Sequence, residues 1–425
     1  MNQSLFVQFL AYFKAIAKTI EEKVNGKKTE LTYLYKEMLT EELSVDLQWK
    51  SLTVNSNIVA ADIVALDSAL PLKKRDSFGT ASGDIPKLGM KLQLSEKQMS
   101  DIDVLKARNV ETSILVDKIF QDQVKATMGI HEKLEFIFLQ GLSSGIGLVE
   151  DENNVGTGIR VDYGYLASNK FGTSLPWSDA NAKPIDDIKR VIKEARAKGD
   201  NIKVLMMSDV TFDKLAENAQ TRENFAFSQN FVGANIPTPD LEQVNGLMQR
   251  KFGLTIVVVD RTVTTERDGV RTVHTPWATD NVIFLTSPKV GKLAYGILAE
   301  ETRKSPKVMY EKSGSFILLK KWSTEEPFAE FTSSQCLALP VINNVSSIYL
   351  LVCEEAATDA QTEGDANFDY KGTEYTKASV VASYLLIKPT STITTATTDA
   401  NIMKALNKLN EEQELAFVAE LVESA

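Results

Sequence analysis

The stretch SLTVNSNIVAADIVALDSALPLKKRDSFGTASGDIPKLGMKLQLSE, residues 51–96, decides how the rest of the chain is interpreted. β-Branched residues occur along both flanks, whereas Lys73 to Asp84 are largely polar and contain Gly79 and Gly83, which suit a turn. This composition predicts two extended arms around a polar tip. A two-stranded ribbon with so little apolar surface is marginally stable alone. We therefore expect residues 51–98 to gain stability by lying across a neighbouring subunit.

A long helix is predicted after this ribbon, over about residues 111–143. Apolar side chains recur there at helical spacing on one face, and charged side chains lie off that face. The apolar face contains Ile130, Leu134, Ile137, Phe138 and Leu142. Gly141 and Gly145 are predicted to stop the helix.

Helical and extended segments alternate from Pro184 onward. DDIKRVIKEARAKG, residues 186–199, begins with two aspartates and ends in a lysine and a glycine, as the helix dipole favours. Asp268-Gly269 predicts a hairpin turn, and residues 315–353 are mostly extended. This pattern predicts an α+β fold with helices on a mixed sheet.

Both ends of the chain differ from this body. Residues 1–50 are predicted to be helical around a polar break. An acidic linker, residues 354–370, is followed by a small helical appendage, residues 371–425. Residues 354–425 contain five lysines, no arginine and thirteen acidic residues, so they carry −8 of the net charge of −10.

The charge balance argues against a protein whose main role is to neutralise nucleic-acid phosphates, because 47 Lys and Arg face 57 Asp and Glu. The sequence has no run of about 18 apolar residues, so we predict no membrane span. Its two cysteines, Cys336 and Cys353, lie in apolar runs typical of strands. We interpret them as buried thiols of a cytoplasmic protein rather than as a disulfide.

GLSSG at residues 141–145 matches the G-x-S-x-G pattern of serine hydrolases, with Ser143 as the nucleophile. That chemistry needs the serine on a sharp turn from a strand into a helix, whereas this motif ends a helix. The candidate bases are His131, upstream on the same helix, and His274, in a hairpin arm. We interpret the motif as a helix end and keep a serine hydrolase as the alternative from another functional class.

Other reactive patterns are missing from the sequence. Gly291-Lys292 lacks the upstream glycine and the hydroxyl residue of a phosphate-binding loop, and neither C-x-x-C nor H-E-x-x-H occurs. We therefore predict no catalytic residue, no metal site and no cofactor.

Four residues at the ribbon tip are candidates for contact between subunits. Lys73, Lys74 and Arg75 form a short basic run, and the aromatic Phe78 follows. A solvated loop tip is one interpretation of this run, and an electrostatic contact to an acidic neighbour is the other.

The order of these elements resembles the major head proteins of lambda-like phages, whose subunit has the Hong Kong 97 fold. DDIKRVIKEA, KVLMMSDVTFDKL, NVIFLTSPKVGKLAYG and PFAEFTSSQCLALPVINNVSSIYLLV fall where that family has comparable segments. The resemblance implies an N-arm at 1–50, an E-loop at 51–98, a spine helix and P-domain at 99–184, an A-domain at 185–314 and P-domain return strands at 315–353. The acidic linker and the appendage lie outside the core fold.

The resemblance also implies a structural subunit that assembles into hexamers and pentamers of an icosahedral head enclosing phage DNA. Its expected partners are further copies of itself, scaffolding, portal and decoration proteins, and packaged DNA without sequence-specific contacts. We expect no membrane partner, assembly in the cytoplasm of a bacterial host, and a final location in the virion. An encapsulin-like shell protein of the same fold is the alternative within this class.

Overall fold

A computed structural model provides the structure of the protein. It describes residues 4, 10–24, 32–54, 78–108, 110–149, 159–229, 236–267, 269–356, 367–370, 373–388, 402–403, 406, 408–410, 413–414 and 417. The chain divides into two compact units, Met1–Glu355 and Ala356–Ala425. Among the described helices, none has both the length and the hydrophobicity to cross a membrane.

The N-terminal segment contains helix α1 (Leu10–Lys23), helix α2 (Leu34–Met38) and strand β1 (Leu39–Leu43). One face of α1 is buried against the body of unit 1 because its apolar residues recur every three or four positions. The buried residues of this face are Phe13, Ala17 and Ile20.

Residues 39–50, expected to be helical, are mostly extended. β1 pairs in parallel with a strand at Gly291–Gly296, and a second strand, β2 (Gln48–Val54), begins soon after it. The partner of β1 lies about 250 residues further along the chain, so no local pattern reveals it. The helical prediction for residues 1–50 therefore holds only for the described helices before β1.

The ribbon consists of β2 and an antiparallel partner, β3 (Phe78–Asp84). Residues 78–84 are thus strand, although the sequence placed them in the polar tip. Gly83 lies opposite Trp49, and a Cβ on Gly83 would come within 2.8 Å of Trp49 Nε1. The glycine that suggested a turn instead makes room for a buried tryptophan.

We name the six-stranded sheet the P-domain sheet, after the P-domain expected from the sequence. It contains β1, β4 (Lys87–Ser95), β13 (Gly291–Gly296), β14 (Met309–Ser313), β15 (Ile317–Glu325) and β16 (Phe328–Ile342). Its main order is β1-β13-β16-β15-β14, and β4 also pairs with β16. The first part of β16 lies between β15 and β4, and its last residues pair with β13.

The predicted long helix is present as α4 (Thr112–Ser144), which follows α3 (Glu96–Ala107). All five predicted stripe residues are buried, and α4 packs across β16. The helix ends at Gly145, which has a φ of +80°. Gly141, by contrast, lies inside the helix and contacts the ring of Tyr163. Two short strands follow, β5 (Ile146–Val149) and β6 (Ile159–Asp162).

A five-stranded sheet has the order β7-β17-β12-β8-β9, and we name it the A-domain sheet, after the A-domain expected from the sequence. Its strands are β7 (Lys170–Thr173), β8 (Val204–Ser208), β9 (Thr255–Val259), β12 (Asn281–Leu285) and β17 (Ile348–Ala356). The remaining helices of unit 1 are α5 (Pro184–Ala197), α6 (Asp209–Glu217), α7 (Ala219–Ser228), α8 (Leu241–Phe252) and α9 (Ala299–Thr302). The predicted hairpin is also present, as β10 (Val263–Arg267) and β11 (Val270–His274). These elements confirm the α+β prediction.

Unit 2 has a small core of its own. A hairpin of β18 (Asn367–Tyr370) and β19 (Thr373–Thr376) precedes helix α10 (Lys377–Ile387). The Tyr370 ring meets that of Phe417 edge-on at 5.3 Å, and its hydroxyl donates to Glu414. The buried hydrophobic residues are Tyr370, Val380, Val381, Tyr384, Ile402, Leu406 and Phe417.

Two glycines inside helices provide a test of this packing. A Cβ at Gly141 would lie 2.5 Å from Tyr163 Cε2, whereas one at Gly246 in α8 would meet nothing within 4 Å. Gly141→Ala is expected to lower the free energy of unfolding by about 1–3 kcal/mol through overpacking. Gly246→Ala should raise it by about 0.5–1 kcal/mol through helix propensity. Urea unfolding followed by circular dichroism measures both, and equal effects would contradict the contact between α4 and Tyr163.

Candidate functional site

Ser143 is buried in the last turn of α4, not on the exposed turn that a nucleophilic serine needs. Its Oγ donates to the carbonyl oxygen of Gln140 at 3.2 Å and accepts from the backbone N–H of Ala278 at 3.1 Å. The hydroxyl therefore joins α4 to the loop before β12.

In the described part of the chain, neither histidine is hydrogen-bonded to Ser143. The His131 ring shares a hydrogen bond with the Tyr35 hydroxyl, and burial lowers the pKa of His131 to about 3. The ring is therefore neutral at physiological pH. His274 lies in β11, where its Nε2 is 3.0 Å from Thr265 Oγ1. The nucleophile and the two candidate bases thus have separate structural partners.

The one group of side chains with metal-ligand geometry among the described residues is Asp280, Cys353 and Glu354. The Lys214 ammonium binds Asp280 at 3.1 Å and Glu354 at 2.9 Å. Burial also raises the pKa of the Cys353 thiol to about 11, so the thiolate that a metal prefers is disfavoured. This cluster is better explained as an ion-paired link between α6 and the end of β17 than as a metal centre.

The predicted contact residues lie mostly beyond what the structure describes. Lys73, Lys74 and Arg75 are outside the described residues. Phe78 is the first residue of β3, and its backbone is paired with that of Val54. A role of all four in contacts between subunits stays a prediction.

A buried polar cluster that the sequence did not reveal joins α2, α4 and the loop between β9 and β10. We call it the spine joint; its members are Tyr33, Tyr35, His131, Glu132, Glu135 and Arg261. The Glu135 carboxylate accepts from the backbone N–H groups of Leu34 and Tyr35, each at 3.0 Å. These donors are the first two N–H groups of α2, so a residue of α4 caps α2.

Glu132 connects the same cluster to the A-domain loop. Its Oε1 accepts from the Tyr33 hydroxyl at 2.8 Å and from the Arg261 guanidinium at 2.6 Å. The guanidinium also lies over the Tyr33 ring, 4.9 Å from its centre. Three distant parts of the chain are thereby fixed at one point of the spine helix.

The electrostatics of the spine joint are dominated by burial. Burial raises the pKa of Glu135 to about 6, although its two backbone hydrogen bonds and the charge of Arg261 act in the opposite direction. Burial likewise raises the pKa of the Tyr35 hydroxyl well above its ordinary value. A charge on Glu135 is therefore costly in the folded state, and its neutral form is favoured below about pH 6.

A second buried polar group lies in the P-domain sheet. Lys321 in β15 forms an ion pair with Glu330 in β16 at 3.0 Å, and their side chains are 2% and 0% exposed. The Lys321 ammonium also lies 5.2 Å from the centre of the Phe120 ring on α4. Loss of either partner would leave an uncompensated charge in the core, so the pair fixes how β15, β16 and α4 pack together.

The elements from β2 to β17 match one protein family, whereas α2, with Tyr33 and Tyr35 of the spine joint, lies before the matched residues. The family of phage major capsid protein E matches residues 49–351, about seven-tenths of the chain. This chain belongs to that family. It is a structural subunit of the phage head, and its fold is α+β, as predicted from the sequence.

Solved structures of low sequence identity resemble this capsid protein. The crystal structure of a capsid protein from a prophage of E. coli CFT073 has 13% identity and a TM-score of 0.49; the match covers 83% of this chain and 99% of that one. The capsid of cyanophage A-1(L) has 11% identity and a TM-score of 0.45, with coverages of 76% and 92%. A virus-like particle from Pyrococcus furiosus has 10% identity and a TM-score of 0.35, with coverages of 75% and 93%. No curated protein matches the sequence.

The spine joint holds α2, α4 and the loop between β9 and β10 together within the subunit. Its residues gave little sequence signal, because a tyrosine or glutamate reveals its burial only through tertiary partners. The Tyr33 and Tyr35 pair, two apolar rings in a polar stretch, was the available hint.

Glu135→Gln tests the spine joint through pH. The pKa of Glu135 rises from an ordinary 4.5 to about 6 in the folded state. Its stabilising contribution is therefore complete below pH 4.5 and lost as the pH rises through 6. Relative to the variant, the parent should lose about 2 kcal/mol of unfolding free energy across that window. Urea unfolding at several pH values measures this.

The control for that experiment is Glu37→Gln, which removes an exposed carboxyl from α2, the short helix that Glu135 caps. It should follow the pH dependence of the parent. A Glu135→Gln profile that is parallel to the parent profile between pH 4 and pH 7 would contradict the buried carboxyl.

Proposed function

We propose that this chain is a non-enzymatic head subunit whose copies form hexamers and pentamers of an icosahedral shell around phage DNA. The observation that carries the proposal is the family match over residues 49–351, which covers the ribbon, the spine helix and both sheets except β1 and the end of β17. The Ser143 hydroxyl donates to Gln140 and accepts from Ala278 within the fold, and these two hydrogen bonds support a structural role for the G-x-S-x-G motif. Membership of a family of phage major capsid proteins also supports a phage head rather than an encapsulin-like compartment.

The charge distribution supports the proposed partners. Outside residues 354–425 the chain is nearly neutral, which fits packaged DNA held without sequence-specific contacts. Scaffolding, portal and decoration proteins are the further partners we propose, and assembly takes place in the cytoplasm of the bacterial host. The division into N-arm, E-loop, P-domain and A-domain stays a proposal; β13 and β14 lie within 185–314 but belong to the six-stranded sheet, and β7 and β17 lie outside 185–314 but belong to the five-stranded sheet.

Negative-stain electron microscopy tests the proposed assembly. The full chain is purified after expression alone and after co-expression with the products of its genomic neighbours. We expect rings of five and six subunits, and closed shells when the partners are present. A monodisperse monomer at high concentration under both conditions would overturn the proposal.

Charge reversal at the ribbon tip is predicted to block or weaken assembly. The variant Lys73→Glu/Lys74→Glu/Arg75→Glu should fold normally, because exposed substitutions usually change stability by less than about 0.5 kcal/mol. Like charges placed at a contact between subunits can cost several kcal/mol. The yield of shells at physiological salt measures the effect.

A matched control reverses three exposed charges elsewhere, as Lys189→Glu/Lys193→Glu/Arg196→Glu on α5. It makes the same change in net charge and should retain shell formation. Normal assembly of the ribbon-tip variant would contradict the proposed contact.

Residues 354–425 are proposed to lie on the outer surface of the filled shell. Their net charge of −8 would be repelled by packaged DNA, and unit 2 has its own small core. Limited proteolysis of DNA-filled particles should cut near Glu363 while the shell stays intact. Full protection of this segment, together with an assembly defect when it is deleted, would place it inside instead.

A further inference from the structure

Four aliphatic side chains are exposed together beside the start of the ribbon. Val45 is 92% exposed, Ile297 50%, Leu43 44% and Leu47 42%. We call them the ribbon-root patch. Single exposed aliphatic residues are common on protein surfaces, so the grouping of these four is what requires an explanation.

Backbone pairing places the members of the patch next to one another. Leu43 pairs with Tyr295 in the parallel ladder of β1 and β13, and the N–H of Ser44 donates to the Tyr295 carbonyl at 2.8 Å. The Leu47 side chain lies against Gly296, the residue before Ile297. The patch is therefore one continuous surface formed by the ends of two neighbouring strands.

The turn that carries Val45 and Leu47 is strained and firmly held. Leu47 has a φ of +55°, a left-handed conformation that is rare for a residue with a branched side chain. Its carbonyl accepts from the N–H of Ile85 at 2.9 Å, and Ser44 Oγ donates to the Gln48 carbonyl at 2.7 Å. These bonds hold the aliphatic side chains outward in a fixed arrangement.

A groove with a volume of about 480 Å³ runs beside the patch and includes Leu43, Val45 and Ala294 in its lining. Its charged groups are already paired, Lys292 with Glu42 at 2.6 Å and Lys50 with Asp46 at 2.7 Å. The groove thus combines three apolar side chains with polar ones and has no excess of charge, which suits a protein surface rather than phosphate groups.

The patch also lies at an open edge of the P-domain sheet. In the described part of the chain β1 pairs only with β13, so its other edge has free backbone groups. Natural proteins protect such edges, since an exposed edge beside aliphatic side chains promotes unwanted association. β2 of the same copy begins at Gln48, directly after Leu47, and pairs there with Asp84 of β3.

We propose that the ribbon-root patch is covered by a second copy of this chain in the shell. The inference rests on the proposed function, because a major capsid protein is surrounded chiefly by copies of itself. A symmetric assembly applies the same contact to every subunit, so each patch is covered in the same way.

Cysteine labelling tests the proposal directly. The two native cysteines are buried, with raised thiol pKa values, so Val45→Cys supplies the reactive thiol of the folded subunit. A maleimide should label position 45 fully in unassembled subunits and at least tenfold more slowly in closed shells. Denatured shells give the total reactivity. Equal labelling rates in free subunits and shells would overturn the proposal.

A second variant gives an independent answer. Val45→Glu should leave the circular dichroism of the subunit unchanged and reduce the yield of shells at least tenfold. Val104→Glu, at a half-exposed valine on α3, is the matched control and should assemble. Normal shells from Val45→Glu would overturn the proposal that a second copy covers the patch. A parent chain that forms no shells would instead overturn the proposed function.

Discussion

Backbone hydrogen bonds along β16 join parts of the chain that are far apart in sequence. At about 3.3 Å per residue, the fifteen residues of this strand extend about 50 Å. Along that length it bonds to β15, to β4 at the end of the ribbon segment and to β13, and α4 packs across it. The end of the ribbon segment and the spine helix therefore take their positions from one strand, and β1 does so through β13.

Buried polar groups then fix the angles between these elements. The Lys321–Glu330 pair sits where β15 and β16 meet α4, and the spine joint sits further along the same helix. Neither arrangement is the most stabilising choice, because charges lose hydration when they are buried. They make the packing specific. Apolar side chains still pack after a small shift of one element against another, whereas a buried carboxylate keeps its hydrogen bonds in only one arrangement.

Features that depend on local patterns could be predicted from the sequence, and those that depend on distant partners could not. The apolar stripe of α4 and the hairpin expected around Asp268-Gly269 depend on local patterns, and the stripe and the two paired strands of the hairpin are present. β1 was missed because the strand that makes it extended lies near Gly291. Gly83 was misinterpreted because a glycine opposite a tryptophan has the same sequence signature as a glycine in a turn. The spine joint was missed because its burial is a property of the assembled fold.

The parallel pairing of β1 with β13 also affects how the chain folds during synthesis. β1 ends at Leu43, whereas β13 and the strand that supports it are complete only at Ile342. Synthesis of the intervening 300 or so residues takes about 15 to 60 s at the usual bacterial to eukaryotic rates. Throughout that interval β1 has no partner on either edge. The time for which a nascent chain is vulnerable to misassociation is therefore set by the ribosome and not by the folding rate of the finished domain.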